Sequence, residues 1–179
     1  MTLLTGLKVI VRDKTVADAK EDYLWRADTE LSRLDNAKPL SISFADFQAY
    51  NNEELKYPTP RRKRLSIDTL DGQHIGNCMY YDIDFMLGQT EIGIMIGDRD
   101  FWNKGYGAET ISLLVDHIFS DSRMQRVYLH TLDWNIRAQK SFEKCGFVPT
   151  KTVQRQGSNL ARMELLRDSR EARKHSSSQ

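Results

Sequence analysis

Residues Glu91–Ser120 read EIGIMIGDRDFWNKGYGAETISLLVDHIFS, and this stretch decides the fold. Ile92, Ile94 and Ile96 alternate with Glu91, Gly93, Met95 and Gly97, the period-2 pattern of a strand. Ile111, Leu114, Val115, Ile118 and Phe119 then recur at the spacing of one buried helix face. Between the two, Gly105 and Gly107 bracket Tyr106. A glycine-rich turn thus delivers bare backbone N–H groups to a helix N-terminus. Those donors and the positive end of the helix dipole favour an anion, typically a phosphate. The plain alternative is an ordinary strand-to-helix turn that uses glycine for its backbone freedom. Two familiar phosphate loops fit poorly. There is no G-x-x-x-x-G-K-[ST], and Thr110 stands where G-x-G-x-x-G needs its third glycine.

The chain around it is long enough, at 179 residues, for one domain with a real core. Its 40% apolar and 28% charged residues are ordinary for a globular protein. A net charge of +1 argues against a nucleic-acid binder driven by a large positive field. No apolar run approaches a membrane span. Met1 to Val11 lacks both the basic and the apolar region of a signal peptide. Cys78 and Cys145 make neither a disulfide framework nor a metal cluster, and the histidines are scattered. A cytoplasmic protein without a metal is expected.

The first strand is expected at Leu7–Arg12, with Thr15 and Asp18 as a short capping box for the next helix. Trp25 lies off that helix's apolar stripe and is read as a packing residue. Ser43 reads as an N-cap for a helix to about Leu55, so two or three short helices precede Tyr57-Pro58-Thr59-Pro60. Arg61–Arg64 (RRKR) reads as a solvated edge rather than a nucleic-acid patch, since no aromatics interleave with it. Leu65–Leu70 and Gln73–Tyr81 flank Asp71-Gly72, a type I′ hairpin signal. Arg126–Thr131 should run parallel to Glu91–Gly97, because a helix connects them. A helix follows from about Ile136 to Lys144, ended by Gly146. Two last strands, Phe147–Gln156 and Leu160–Leu166, surround Gly157-Ser158. Residues 167–179 are charged, then serine-rich, and read as a disordered tail.

Asn103-Lys104-Gly105-Tyr106-Gly107-Ala108 resembles the Q/R-x-x-G-x-G/A acetyl-CoA signature of GNAT-type N-acetyltransferases, with Trp102 at the Gln/Arg position. Asn135-Ile136-Arg137-Ala138, followed by Phe142-Glu143-Lys144-Cys145-Gly146-Phe147, resembles the second signature, N-x-x-A/S-x-x-x-Y/F-x-K-x-G-F. The lead-in Glu91-Ile92-Gly93-Ile94 and Glu109 are similar to the RimJ/RimL branch of ribosomal-protein and spermidine acetyltransferases. The resemblance implies an α/β (α+β) fold: one GNAT-like domain over residues 7–166. Its mixed, mostly antiparallel twisted sheet has about 6–7 strands, helices on both faces and a splayed parallel pair. It also implies acetyl-CoA as co-substrate. Ile94, Met95 and Ile96 would meet pantetheine and the acetyl carbonyl, and Asn103, Lys104, Gly105, Tyr106, Gly107 and Ala108 the pyrophosphate. Asn135 would bond the pantetheine arm beside Ala138 and Phe142. Gly93 and Gly97 would permit close backbone approach.

The implied reaction is direct acetyl transfer to a neutral primary amine, on a protein N-terminus or a small molecule. At pH 7 a lysine-like amine costs roughly 4.6 kcal/mol to deprotonate and an α-amine roughly 1.4. Glu91 is the candidate base and His130 the runner-up. Cys145 has no base set up beside it. Phe142 replaces the tyrosine that many relatives place there, and a phenyl ring cannot protonate a thiolate. The same residue keeps open an inactive CoA-binding or nucleotide-binding regulatory module. Trp25, Asp28 and Glu30 are possible holders of a cationic amine. Exposed sheet edges suit a monomer or homodimer.

Overall fold

A computed structural model describes residues 3–177. Met1 and Thr2, part of the stretch read for a leader, lie outside the described residues, as do Ser178 and Gln179 of the expected tail. In chain order the elements are β1 (Leu3–Thr5), β2 (Val9–Asp13), α1 (Ala19–Ala27), α2 (Thr29–Leu34), α3 (Phe44–Lys56), β3 (Arg62–Thr69) and β4 (His74–Asp84). Then come β5 (Gln89–Ile96), α4 (Tyr106–Phe119), β6 (Arg126–Leu132), α5 (Ile136–Lys144), β7 (Val148–Arg155), β8 (Ser158–Leu166) and α6 (Arg167–Ser177). One sheet of eight strands runs β1-β2-β3-β4-β5-β6-β8-β7. All neighbours are antiparallel except β5 and β6.

The sheet has eight strands rather than six or seven because an extra short strand precedes the expected first one. Leu3–Thr5 pairs back on Val9–Asp13 around Gly6 and Leu7. Glu109 fixes that turn by accepting the Leu7 and Lys8 N–H groups, which no local pattern could show. The helix α4 is as its periodicity predicts: Ile111, Leu114, Val115, Ile118 and Phe119 are all buried. They pack with Val9, Leu65, Ile92, Val127 and Leu129 of the sheet in one core.

Several local readings change. Asp71-Gly72 does not form a type I′ turn, since Gly72 alone has positive φ. Thr69 N–H donates to Gln73, leaving a three-residue loop whose last member is left-handed. The final hairpin turns at Gln156-Gly157, one residue earlier than expected, with both residues at positive φ. The expected disordered tail is helical over Arg167–Ser177. Arg170 and Lys174 pair with Asp116 of α4, so charges that read as solvated have a partner on the fold. Arg62 and Arg64 of the basic run both pair with Glu54, and Lys63 pairs with Asp13. Ser43 caps α3 by accepting the Asp46 N–H at 3.2 Å, and Gly146 ends α5 at φ +102.

Candidate active site

The parallel strands β5 and β6 pair only at Gln89–Arg126, Thr90–Val127 and Glu91–Tyr128. Beyond Glu91 they diverge. Ile92–Ile96 stays bonded to β4, and Leu129–Leu132 stays bonded to β8. Main-chain groups on the facing edges of the two strands therefore lack their usual sheet partner there. A cavity of ≈ 770 Å³ fills the opening, and it also takes in α2 residues Leu31 and Leu34 and the last hairpin at Arg155 and Leu160.

At one end lies the glycine loop. Gly105 caps α4 at φ +89, ψ −4, and Asn103 is also left-handed at φ +59. Both conformations turn the chain sharply into the helix, so the first N–H groups of α4 point outward together. Trp102, at the position where the signature has Gln or Arg, donates its indole N–H to Ile96 O at 2.7 Å. That bond ties the loop to the end of β5. Arg137 stacks over the same indole at 4.3 Å. Lys8 donates to Lys104 O at 2.9 Å, and its Nζ is 3.5 Å from where a Gly105 side chain would begin. Lys8 and Arg137 thus join Lys104 around the loop, and both escape a reading of the motif alone. Lys8 is positioned from 96 residues away in sequence, through Glu109.

At the other end is Glu91, only 2% exposed. Its Oε1 is 2.7 Å from His130 Nδ1 and accepts from Arg155 Nη1 at 3.4 Å. Its Oε2 is buried and receives no N–H group among the described residues, with the Tyr81 hydroxyl beside the carboxylate. Tyr81, opposite Glu91 on β4, has its phenol pKa pushed well above the ordinary 10, first by burial, then by the Glu91 charge and by a hydrogen bond to that carboxylate. The phenol therefore stays protonated and is a weak acid. Burial also pushes the Cys145 thiol up, while Sγ meets Ala108 O at 3.4 Å, so it is no nucleophile.

Of the residues the signatures named, Ile94, Met95, Ile96, Asn103, Gly105, Gly107, Ala108, Asn135, Ala138 and Phe142 line the cavity together with Glu91. Lys104 and Tyr106 stand outside its lining. Tyr106 packs edge-on against Phe101 at 5.0 Å. Asn135 spends its side-chain oxygen on capping α5, accepting the Ala138 N–H at 3.2 Å. Phe142 packs against Phe147. One expectation fails. Gly97 faces Trp25, whose ring would be 2.1 Å from an added Cβ, so this glycine serves packing. At Gly93 an added Cβ would meet Met79 and Tyr81 at ordinary distance, so no protein neighbour requires a glycine there. Trp25 and Asp28 line a separate, more open hollow, and Asp28 and Glu30 are both bound by Arg99.

A strand pair that opens beside a glycine-capped helix matches a known domain. The model of the acetyltransferase (GNAT) domain fits residues 8–148. The chain belongs to the GNAT acetyltransferase family. A relative, the uncharacterized N-acetyltransferase p20 of Bacillus licheniformis, is 27% identical over 130 residues, 71% of either chain. Spermidine N-acetyltransferase from Vibrio cholerae, in complex with CoA and spermine, superposes with a TM-score of 0.81 at 18% identity, over 92% of this chain and 99% of that one. Aminoglycoside acetyltransferase AAC(6')-Ib, in complex with coenzyme A, gives 0.77 at 22%, over 93% and 99%. At these identities the solved structures show the shared fold. No described helix of this GNAT chain is long and apolar enough to cross a membrane, and no described cluster of His, Cys, Asp and Glu could hold a metal.

Proposed function

We propose that the protein is an acetyl-CoA-dependent N-acetyltransferase that acts on a primary amine, on a protein N-terminus or a small molecule, by direct transfer. The observation that carries this reading is the opening between β5 and β6 after Glu91, with the glycine loop at its end. Residues Ile94–Ile96 would meet the pantetheine arm as an added strand would. Asn103–Ala108, Lys8, Lys104 and Arg137 would hold the phosphates, through backbone N–H groups and charge. Asn135, Ala138 and Phe142 would flank the arm. The pattern around Glu91 and Glu109 favours the RimJ/RimL-like branch. Burial pushes the Cys78 thiol up to about 12, and such inert, unpaired thiols suit a reducing cytoplasm.

Acetyl-CoA supplies an acetyl thioester. The ammonium of the acceptor gives a proton to Glu91 Oε2, and the nitrogen lone pair attacks the carbonyl carbon. The C–N bond forms, the C–S bond breaks, and its electron pair leaves on sulfur. Phe142 cannot protonate that thiolate, so water does, which a thiol pKa near ~8.5 permits. His130 holds the carboxylate through Oε1 and leaves Oε2 to the amine.

The test is calorimetric titration with acetyl-CoA and with ATP, on wild type, Gly105→Asp and Gly72→Asp. Both glycines have φ near +90°, at +89° and +88°, but Gly72 faces open space. Micromolar acetyl-CoA binding that Gly105→Asp abolishes and Gly72→Asp keeps supports the reading. No acetyl-CoA binding by wild type ends it.

A further inference from the structure

The Glu91 end of the cavity carries a charge pattern that selects an acceptor. Three observations define it. Glu91 lines the cavity as a buried carboxylate, with the Tyr81 hydroxyl beside it, and no N–H group among the described residues meets its Oε2. Arg155 Nη1 lies 3.4 Å from the other oxygen of the same carboxylate, on a side chain that is 48% exposed. Among the described residues no other carboxylate meets Arg155. Asp35, the other acidic residue in the lining, is held by Arg26 at 3.1 Å.

We infer that the acceptor is a free α-amino acid, with its ammonium on Glu91 Oε2 and its carboxylate on the Arg155 guanidinium. The inference rests on the acetyl-transfer reading above. A negative and a positive group side by side are the complement of a molecule with a positive and a negative group side by side. In an α-amino acid those two groups are roughly 3 Å apart, fixed by covalent geometry. The guanidinium has five N–H donors in a planar fork, so it can keep Glu91 and still accept a carboxylate. It also acts on the reaction. A cation next to the bound nitrogen disfavours the ammonium form, and only the neutral amine attacks.

Arg155 sets this site apart from one built for a polycation. A polyamine would bring further positive charge toward Arg155 with no carboxylate free to receive it. Of the other cations in the lining, Arg137 sits over Trp102 at the glycine-loop end, where phosphates would lie, and Lys140 and Lys144 come from α5. One end of the cavity is thus matched to the phosphates of the donor and the other to the carboxylate of the acceptor. Arg155 stands at the end of β7, directly before the Gln156-Gly157 turn, and Asn36 donates to its carbonyl at 3.5 Å. No motif marks it, since only the folded hairpin brings it to Glu91, 64 residues away in sequence.

The experiment compares acetylation of the twenty free amino acids, their carboxamides, spermidine and kanamycin, by wild type and Arg155→Gln. Calorimetry of the preferred amino acid and its carboxamide, in the presence of CoA, gives a readout independent of turnover. For wild type the expected result is a kcat/KM for the best amino acid at least about ten-fold above its carboxamide, carried by KM, with a matching gap in affinity. Arg155→Gln is expected to erase the gap while acetyl-CoA affinity stays the same. Equal use of acids and carboxamides by wild type, a preference for spermidine or kanamycin, or a gap that survives in Arg155→Gln overturns the inference. Acetyl-CoA binding without a preference for the acids removes this inference alone. No acetyl-CoA binding by wild type removes the acetyl-transfer reading beneath it.

Discussion

The molecule holds two clusters of buried charge, and they are completed differently. In the first, Asp18, Asp22 and Asp68 gather between α1 and the β2–β4 strands. Arg12 forks onto Asp18 and Asp68, Lys14 pairs with Asp22, and His74 lies between Asp68 and Asp22. Ser66 and Thr15 N–H complete Asp18, and Asn77 completes Asp22. Every carboxylate oxygen there has a donor. In the second cluster, Glu91 has His130 and Arg155 on one oxygen, and no N–H group meets the other, with the Tyr81 hydroxyl alone beside the carboxylate. An unsatisfied buried acceptor costs stability, about 1–3 kcal/mol or more for a charged group. The first cluster is therefore built to hold the fold, and the second is left open toward a cavity.

Four experiments sharpen or break that contrast. The largest effect is expected for Glu91→Gln. It should lower kcat/KM for amine acetylation by about 10²–10⁴-fold, while the denaturation midpoint stays level or rises, because a buried charge is removed. A large loss of stability instead would place Glu91 with the structural cluster. Lys14→Met should do the reverse. Removing one partner of a buried pair costs about 3–5 kcal/mol, read by urea denaturation, and acetyl-CoA affinity of the folded protein should be unchanged.

Stability against pH should separate the clusters next. Burial raises the Asp18 and Asp22 pKa values, but hydrogen bonds from Arg12 to Asp18 and from His74 to Asp22, with their other donors, outweigh it and hold both below the ordinary 3.8. Arg170 and Lys174 likewise outweigh burial at Asp116. The unfolded chain binds these protons first. This contribution is thus full above pH ~4 and lost as pH falls through the lower folded values. His117 gives an earlier, smaller step. Burial first, then Lys63, lowers its pKa from 6.5, so stability starts to fall below about 6.5 as the unfolded chain takes that proton. Chemical denaturation at pH 8, 5.5 and 3.5 should show both steps, and His117→Gln should remove only the first. The smallest effect is expected for Trp102→Phe. Losing the bond to Ile96 O costs about 0.5–1.5 kcal/mol of loop order, read as a several-fold weaker acetyl-CoA affinity without a change in the best acceptor.

Much of the donor end was legible because its signals are local. Gly105 and Gly107 before an amphipathic helix, and Asn135 to Gly146 around another, are short-range patterns whose geometry depends on their own residues. Asn103, Gly105, Gly107, Ala108, Asn135, Ala138 and Phe142 of the signatures line the cavity, as do Glu91 and Ile94–Ile96 of the strand before them. Gly97, just after β5, was misread for a complementary reason. A bare face on a strand is equally suited to a ligand and to a packed indole, and the indole that fills Gly97 comes from α1. The tail was misread likewise, since RDSREARKHSS looks solvated until Asp116 of α4 is placed beside it.

The sequence by itself determined the strand–turn–helix unit, the direction of β6, the buried face of α4 and the two signatures of the family. The first three follow from periodicity, from glycine at left-handed positions and from connection length, and the signatures from resemblance to the family's motifs. Only the tertiary structure decided where β5 and β6 part, that Lys8 and Arg137 surround the loop, and that Glu91 is buried among His130, Arg155 and Tyr81. Those features join strands and turns far apart in the chain. Burial and pairing are properties of what surrounds a side chain, and no local pattern of residues records its surroundings.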